Sequence, residues 1–196
     1  MIDMQEFFSD YFEELGKLLT KINKKDIEAV TDIIYKAYIN ERTIFILGNG
    51  GSATTASHFA CDLGKGTLSR VYDDNERRFR VVSLTDNVST ITAYANDLSF
   101  DDIFVQQLRN LVHKGDVVIS ITGSGNSKNV IKAVKYARDC GAMTIGLLGF
   151  DGGRVKKLLD KYVIVPSEHY GRIEDAHLIL EHAITDYLRS RMKESK

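Results

Sequence analysis

Apolar residues recur at three- and four-residue steps along the start of the chain. Met4, Phe7, Phe8, Tyr11, Phe12, Leu15, Leu18, Leu19 and Ile22 form one wide helical stripe. A second set, Ile27, Val30, Ile33, Ile34 and Ala37, follows Lys25. Two amphipathic helices are therefore expected over residues 1–40. They are more than the core behind them needs, so the aromatic stripe is a candidate subunit interface, with packing on its own domain as the alternative.

Beyond residue 40 the period changes. Short, β-branched runs at Thr43–Leu47, Arg80–Leu84, Asp116–Ile121, Thr144–Leu148 and Tyr162–Val165 predict strands that are apolar on both faces. Helical patterns lie between them: Ser52–Leu63, one or two helices ending by Val112, Lys128–Cys140, a short basic piece at Arg154–Leu159, and a long closing helix at Ile173–Met192. This alternation predicts an α/β fold. It is a doubly wound five-stranded parallel sheet preceded by two N-terminal helices, with binding outside the carboxyl ends of the strands.

Composition narrows the class. The 196 residues suit one domain, and the single proline, Pro166, argues against a flexible linker. The net charge of −1 and pI of about 6.5 advertise no nucleic-acid partner. No apolar run approaches the roughly 18 residues of a membrane span, and the start, MIDMQEFF, is not the basic-then-apolar pattern of a signal peptide. Cys61 and Cys140 form no metal or redox spacing and fit a reducing compartment. A cytoplasmic protein without membrane or nucleic-acid partners is expected.

Two glycine-serine loops should stand at the carboxyl end of the sheet. The first is Gly48-Asn49-Gly50-Gly51-Ser52-Ala53, the second Thr122-Gly123-Ser124-Gly125-Asn126-Ser127. Each follows a strand and opens a helix, whose free N–H groups and partial positive charge suit an anion. The first loop also satisfies the loose dinucleotide pattern G-x-G-x-x-A, but the acidic residue such a site wants about 20 positions later, at a strand end, is missing. No Gly-Lys-Ser/Thr follows, which excludes a Walker A loop. The three hydroxyls of the second loop suit a phosphate monoester. On neighbouring strands the two loops would converge on one small anionic ligand; Lys65 and Lys128 are near enough to assist, though each reads first as a solvated surface lysine.

Beyond the first loop, His58 and Asp62 are four residues apart on one helix and share a face. The closing helix carries Glu174, Asp175, His177, Glu181 and His182. His58, Asp62, Glu174 and His182 would make a nitrogen-oxygen set for a divalent metal such as zinc, or an acid-base pair for proton transfer beside a carbonyl. Asn96-Asp97 is either a helix cap or a pair for sugar hydroxyls.

The ordered set GNGGSA with HFA, AND with DDIF, GSGNSKNV, GFDGG, and RIEDAH with a later His182 resembles the sugar isomerase (SIS) domain family. Within it the match is to the sedoheptulose 7-phosphate isomerases, and it covers nearly the whole chain. The resemblance implies a single flavodoxin-like SIS domain over 1–196, with 1–40 as a helical oligomerisation extension and a homotetramer as the usual assembly. It implies conversion of D-sedoheptulose 7-phosphate into D-glycero-D-manno-heptose 7-phosphate through an enediol. By motif, Asn49, Gly50, Gly51 and Ser52 line the substrate. Thr122, Gly123, Ser124 and Ser127 hold the phosphate, and Asn96, Asp97 and Glu174 serve the sugar. Asp62 falls on the base and His182 on the acid-base histidine. Some members bind zinc, and its ligands fall on His58, Asp62, Glu174 and His182.

Four features depart from the family pattern, one of them a second loop that reads TGSGNS rather than the more usual STSGNS. Asp62 replaces the usual glutamate, Glu174 the usual glutamine, and Gly171 an aspartate. The exchange of Asp62 and Glu174 reads as a paired change that marks a distinct subfamily. The alternatives to an isomerase are a non-catalytic SIS tetramer that binds the replication initiator and a sugar-phosphate-sensing module.

Overall fold

The computed structural model describes residues 2–194. Two helices, α1 (Met4–Lys21) and α2 (Lys24–Ile39), precede the first strand, β1 (Thr43–Gly48). Then come α3 (Gly51–Cys61), β2 (Arg80–Ser83), α4 (Val88–Asp97), α5 (Ile103–Leu111) and β3 (Val117–Thr122). The chain closes with α6 (Lys128–Asp139), β4 (Met143–Leu148), β5 (Lys161–Ile164) and α7 (Tyr170–Glu194). All strand pairs are parallel and the order is β2-β1-β3-β4-β5. The five strands and two leading helices are those the sequence predicts.

Alternation along each strand builds two cores. Ile44 and Ile46 of β1 and Ile119 and Ile121 of β3 face α1, α2, α3 and α7. Phe45, Leu47 and Val118 face α5 and α6. Both faces are covered, so nearly every residue of β1 and β3 is buried. Each such Ile, Leu or Phe contributes roughly 1.5–3 kcal/mol by leaving water. The chain reverses direction across the sheet between β1 and β3. Their carboxyl ends, where both glycine loops emerge, flank the crevice in which doubly wound folds bind ligands.

Several element ends differ from expectation for local reasons. Asp116 stays outside β3 because its carboxylate accepts from the backbone N–H of Thr43 at 2.9 Å and of His113 at 2.8 Å. The closing helix begins at Tyr170, one turn early, and runs to Glu194. The helix after the first loop stops being α-helical at Cys61 and widens into a π-helical turn, Asp62–Gly66. Gly64 and Gly66 sit in that turn and weaken the tighter coil. Asp62 is thereby the residue at which the helix changes pitch.

On α1, Leu15, Leu18, Leu19 and Ile22 pack on the core, whereas Phe7, Phe8 and Phe12 remain 51–66% exposed. The aromatic stripe is therefore split: the Tyr11 hydroxyl donates to Asp175 at 2.6 Å, whereas Phe7, Phe8 and Phe12 pack on little of their own domain.

Candidate active site

The second loop is held by backbone. Gly125 N–H donates to Thr122 Oγ1 at 3.2 Å, Gly149 N–H to Gly123 O at 3.0 Å, and Val155 N–H to Gly125 O at 2.9 Å. The turn at Asp151–Gly153 presses so closely that a Cβ on Gly125 would collide with the carbonyl of Gly152. Thr122 is buried, and Ser124 and Ser127 are half-buried. Ser127, the N-cap of α6, makes no side-chain capping bond, so its hydroxyl is not committed to its own helix.

Asn49 of the first loop and Asn129 of α6 exchange two amide hydrogen bonds, each 2.9 Å. This reciprocal pair ties the loops together across β1 and β3. Asn129 is only 2% exposed and also accepts from the N–H of Val130. Sequence reasoning missed it, because a lone asparagine in a first helical turn carries no distinguishing signal.

The first loop has a different neighbour. The carboxylate of Glu174 lies directly against Gly51, the first residue of α3, in space a Cβ there would fill. A carboxylate is well placed at that helix start, where the partial charge is positive. Ser52 beside it is buried.

Two turns further along the same pair of helices, four polar side chains meet. His58 Nε2 lies 3.6 Å from Asp62 Oδ2 and 3.6 Å from Glu181 Oε1. His182 Nε2 lies 3.8 Å from Asp62 Oδ2 and 3.6 Å from Glu181 Oε1. The two histidine Nε2 atoms face each other at 3.2 Å. One ligand atom from each of the four residues fits within a sphere of contacts no longer than 4.8 Å. Glu181 is fully buried and both its oxygens lack a hydrogen-bond partner. Burial, with the Asp62 carboxylate adding to it, pushes the Glu181 carboxyl up to about 8.

The structure thus gathers His58, Asp62 and His182, as the sequence led one to expect, with Glu181 as the fourth member. Glu174 stands with the first loop instead. Asn96 and Asp97 are exposed in the last turn of α4, where the Asn96 amide donates to its neighbour at 2.9 Å. No hydrogen bond or ion pair among the described residues ties them to the cluster. Lys128 is exposed, 3.9 Å from Asp101. His177 is buried and structural: its Nε2 lies 3.2 Å from the carbonyl of Leu148 and donates to it. Burial lowers its pKa to about 4, so it is neutral.

Hydroxyls at one strand end and a histidine-carboxylate cluster on the flanking helices are the kinds of groups an aldose-ketose isomerase of sugar phosphates needs, and that is the class to which its relatives point. The family model described as SIS domain matches residues 10–149, and the chain belongs to that family. Among the phosphoheptose isomerases, it is 39% identical to that of Helicobacter pylori strain P12, over 95% of each chain. It is 36% identical to that of Aliarcobacter butzleri, over 96% of each. The solved phosphoheptose isomerase GmhA from Neisseria gonorrhoeae superposes with a TM-score of 0.86 at 34% identity, covering 96% of this chain and all of that one.

Proposed function

We propose that the protein is an aldose-ketose isomerase that converts D-sedoheptulose 7-phosphate into D-glycero-D-manno-heptose 7-phosphate, an early step in heptose biosynthesis. The observation that carries this reading is the meeting of Asp62 and His182 beside the crevice of the two loops. Relatives with the isomerase name span the chain almost end to end. About 12 Å of α7 separates Ile173, near the second loop, from Glu181, and an extended seven-carbon chain covers most of that span.

The phosphate is assigned to the second loop, on Thr122, Ser124, Ser127 and the N-terminus of α6. Asn49, Gly50, Gly51 and Ser52 line the sugar with Glu174, and Asn96 and Asp97 reach its hydroxyls from α4. Asp62 takes a proton from C1 of the open-chain ketose. The electrons of that C–H bond form the C1–C2 double bond, and the C2 oxygen receives a proton from His182, giving the enediol. The C1 hydroxyl then returns its proton to His182 as the C1 carbonyl forms, and Asp62 delivers its proton to C2. Atoms balance and nothing else is consumed. His58, Asp62 and His182 also fit a divalent cation such as zinc, given a donor set of imidazole nitrogen and carboxylate oxygen around one point. When bound, such a cation supplies Lewis-acid polarisation of the C1 and C2 oxygens.

The same reading places the protein in the cytoplasm as a homo-oligomer, most simply a tetramer, with residues 1–40 as the assembly extension. The exposed Phe7, Phe8 and Phe12 support this. No described helix is long and apolar enough to cross a membrane.

The decisive experiment incubates the protein with sedoheptulose 7-phosphate in D₂O and follows exchange at C1 and C2 by NMR. Exchange and aldose formation are expected, and their absence with and without zinc would remove the isomerase reading. Asp62→Asn should lower turnover roughly 10²–10⁴-fold with substrate binding retained. Undiminished turnover would remove Asp62 as the base.

A further inference from the structure

Helices α3 and α7 run side by side in one register. Gly51 stands beside Glu174, and His58, seven residues later, stands beside Glu181, seven residues after Glu174. Seven residues are about 10.5 Å of helix. A carboxylate lying on Gly51 therefore belongs to a different layer from the two histidines. Glu181 instead lies in their layer, fully buried, with neither oxygen hydrogen-bonded. A buried carboxylate without a hydrogen bond is costly, its only neighbours of opposite character among the described residues being the two imidazoles at 3.6 Å, and a cation held between them is the partner the geometry offers. The two imidazole nitrogens at 3.2 Å point to the same conclusion, since both converge on one point with the two carboxylates around it.

We propose that Glu181, and not Glu174, is the α7 carboxylate that coordinates a divalent cation of the zinc type, together with His58, Asp62 and His182. Glu174 then serves the first loop and the sugar only. The shorter Asp62 is part of the same rearrangement. Two carboxylates and two neutral imidazoles balance the charge of the ion, and Asp62, one methylene shorter than the family's glutamate, leaves room for the second carboxylate. The inference rests on the isomerase reading only in placing the ion beside the reacting carbons.

The test is calorimetric titration of zinc chloride into chelator-treated protein without sugar, with fold checked by circular dichroism. The wild-type chain should bind about one zinc. Glu181→Gln, nearly isosteric, should weaken binding at least tenfold, and Glu174→Gln less than threefold. Anomalous scattering from zinc-soaked wild-type crystals needs no variant and should place a Glu181 oxygen about 2.0–2.2 Å from the ion. Failure to bind zinc, equal loss in both variants, or an ion on Glu174 would overturn the proposal. Zinc on Glu181 in a protein that does not isomerise would uphold it and sink only the isomerase reading.

Discussion

The two glycine loops look alike in sequence and differ in what stands over them. Both follow a central strand, both open a helix, and the pair Asn49–Asn129 joins them. The first meets a carboxylate from α7 at its helix start, whereas the second is braced from behind by the Asp151–Gly153 turn and keeps the hydroxyl of Ser127 uncommitted. A glycine-rich helix start is thus only half of an anion site. The other half is the charge that the rest of the fold brings to it, and here that charge, the Glu174 carboxylate at the first loop, is what the proposed assignment of phosphate to the second loop draws on.

Removing a glycine from each loop gives the sharpest contrast. Gly125 and Gly50 both have positive φ, at 62° and 58°. A methyl group on Gly125 would strike the Gly152 carbonyl, while one on Gly50 meets nothing within 4 Å. Gly125→Ala should therefore destabilise by about 4 kcal/mol or more, adding overpacking to backbone strain, and Gly50→Ala by about 2 kcal/mol of strain alone, because φ 58° with ψ −127° is a conformation that glycine adopts far more readily than alanine. Urea unfolding of both variants measures this, and equal losses would mean that the brace behind the second loop is not rigid.

The bracing side can also be probed through pH. His177 pins α7 to Leu148, just before the turn that supports the second loop. Its folded pKa of about 4 lies below the unfolded value near 6.5, so the folded state binds fewer protons between them. Its contribution is intact above about pH 6.5 and is lost as pH falls toward 4, by roughly 2 kcal/mol at pH 5. Chemical denaturation at pH 7.5 and pH 5 should show a smaller drop for His177→Gln than for wild type. Parallel drops would show that His177 is not the sensitive group.

The smallest effects separate the ligand roles. Ser124→Ala or Ser127→Ala should each raise KM about tenfold, the worth of one hydrogen bond to a charged group, with kcat less affected. Ser52→Ala should change KM less than threefold. Steady-state kinetics with the sugar phosphate decides, and a larger KM effect at Ser52 would reverse the assignment of the two loops.

Much of this was legible in the chain. Apolar runs such as Thr43–Leu47 predict buried strands because a sheet covered on both faces leaves no polar alternation to misread. His58, Asp62 and His182 were legible as a set, through spacing and motif together. Glu181 was harder, because one helix cannot reveal how it is rotated against another. A signal did exist: Ile173, His177, Leu180, Ile184 and Leu188 are buried on α7, and Glu181 falls on their stripe. A carboxylate on an apolar stripe asks for a partner. The pitch change at Asp62 was not legible either, since glycines two and four residues later also fit a simple helix end.

Glu174 on Gly51 has one more consequence. A sugar carrying phosphate at a single end can set that end on the second loop and present hydroxyls to the first. A bisphosphate, charged at both ends, would bring its second phosphate toward a carboxylate already in place. On the proposed assignment of the two loops the crevice would therefore be polar in the directional sense: it would orient its ligand end for end and discriminate by counting phosphates.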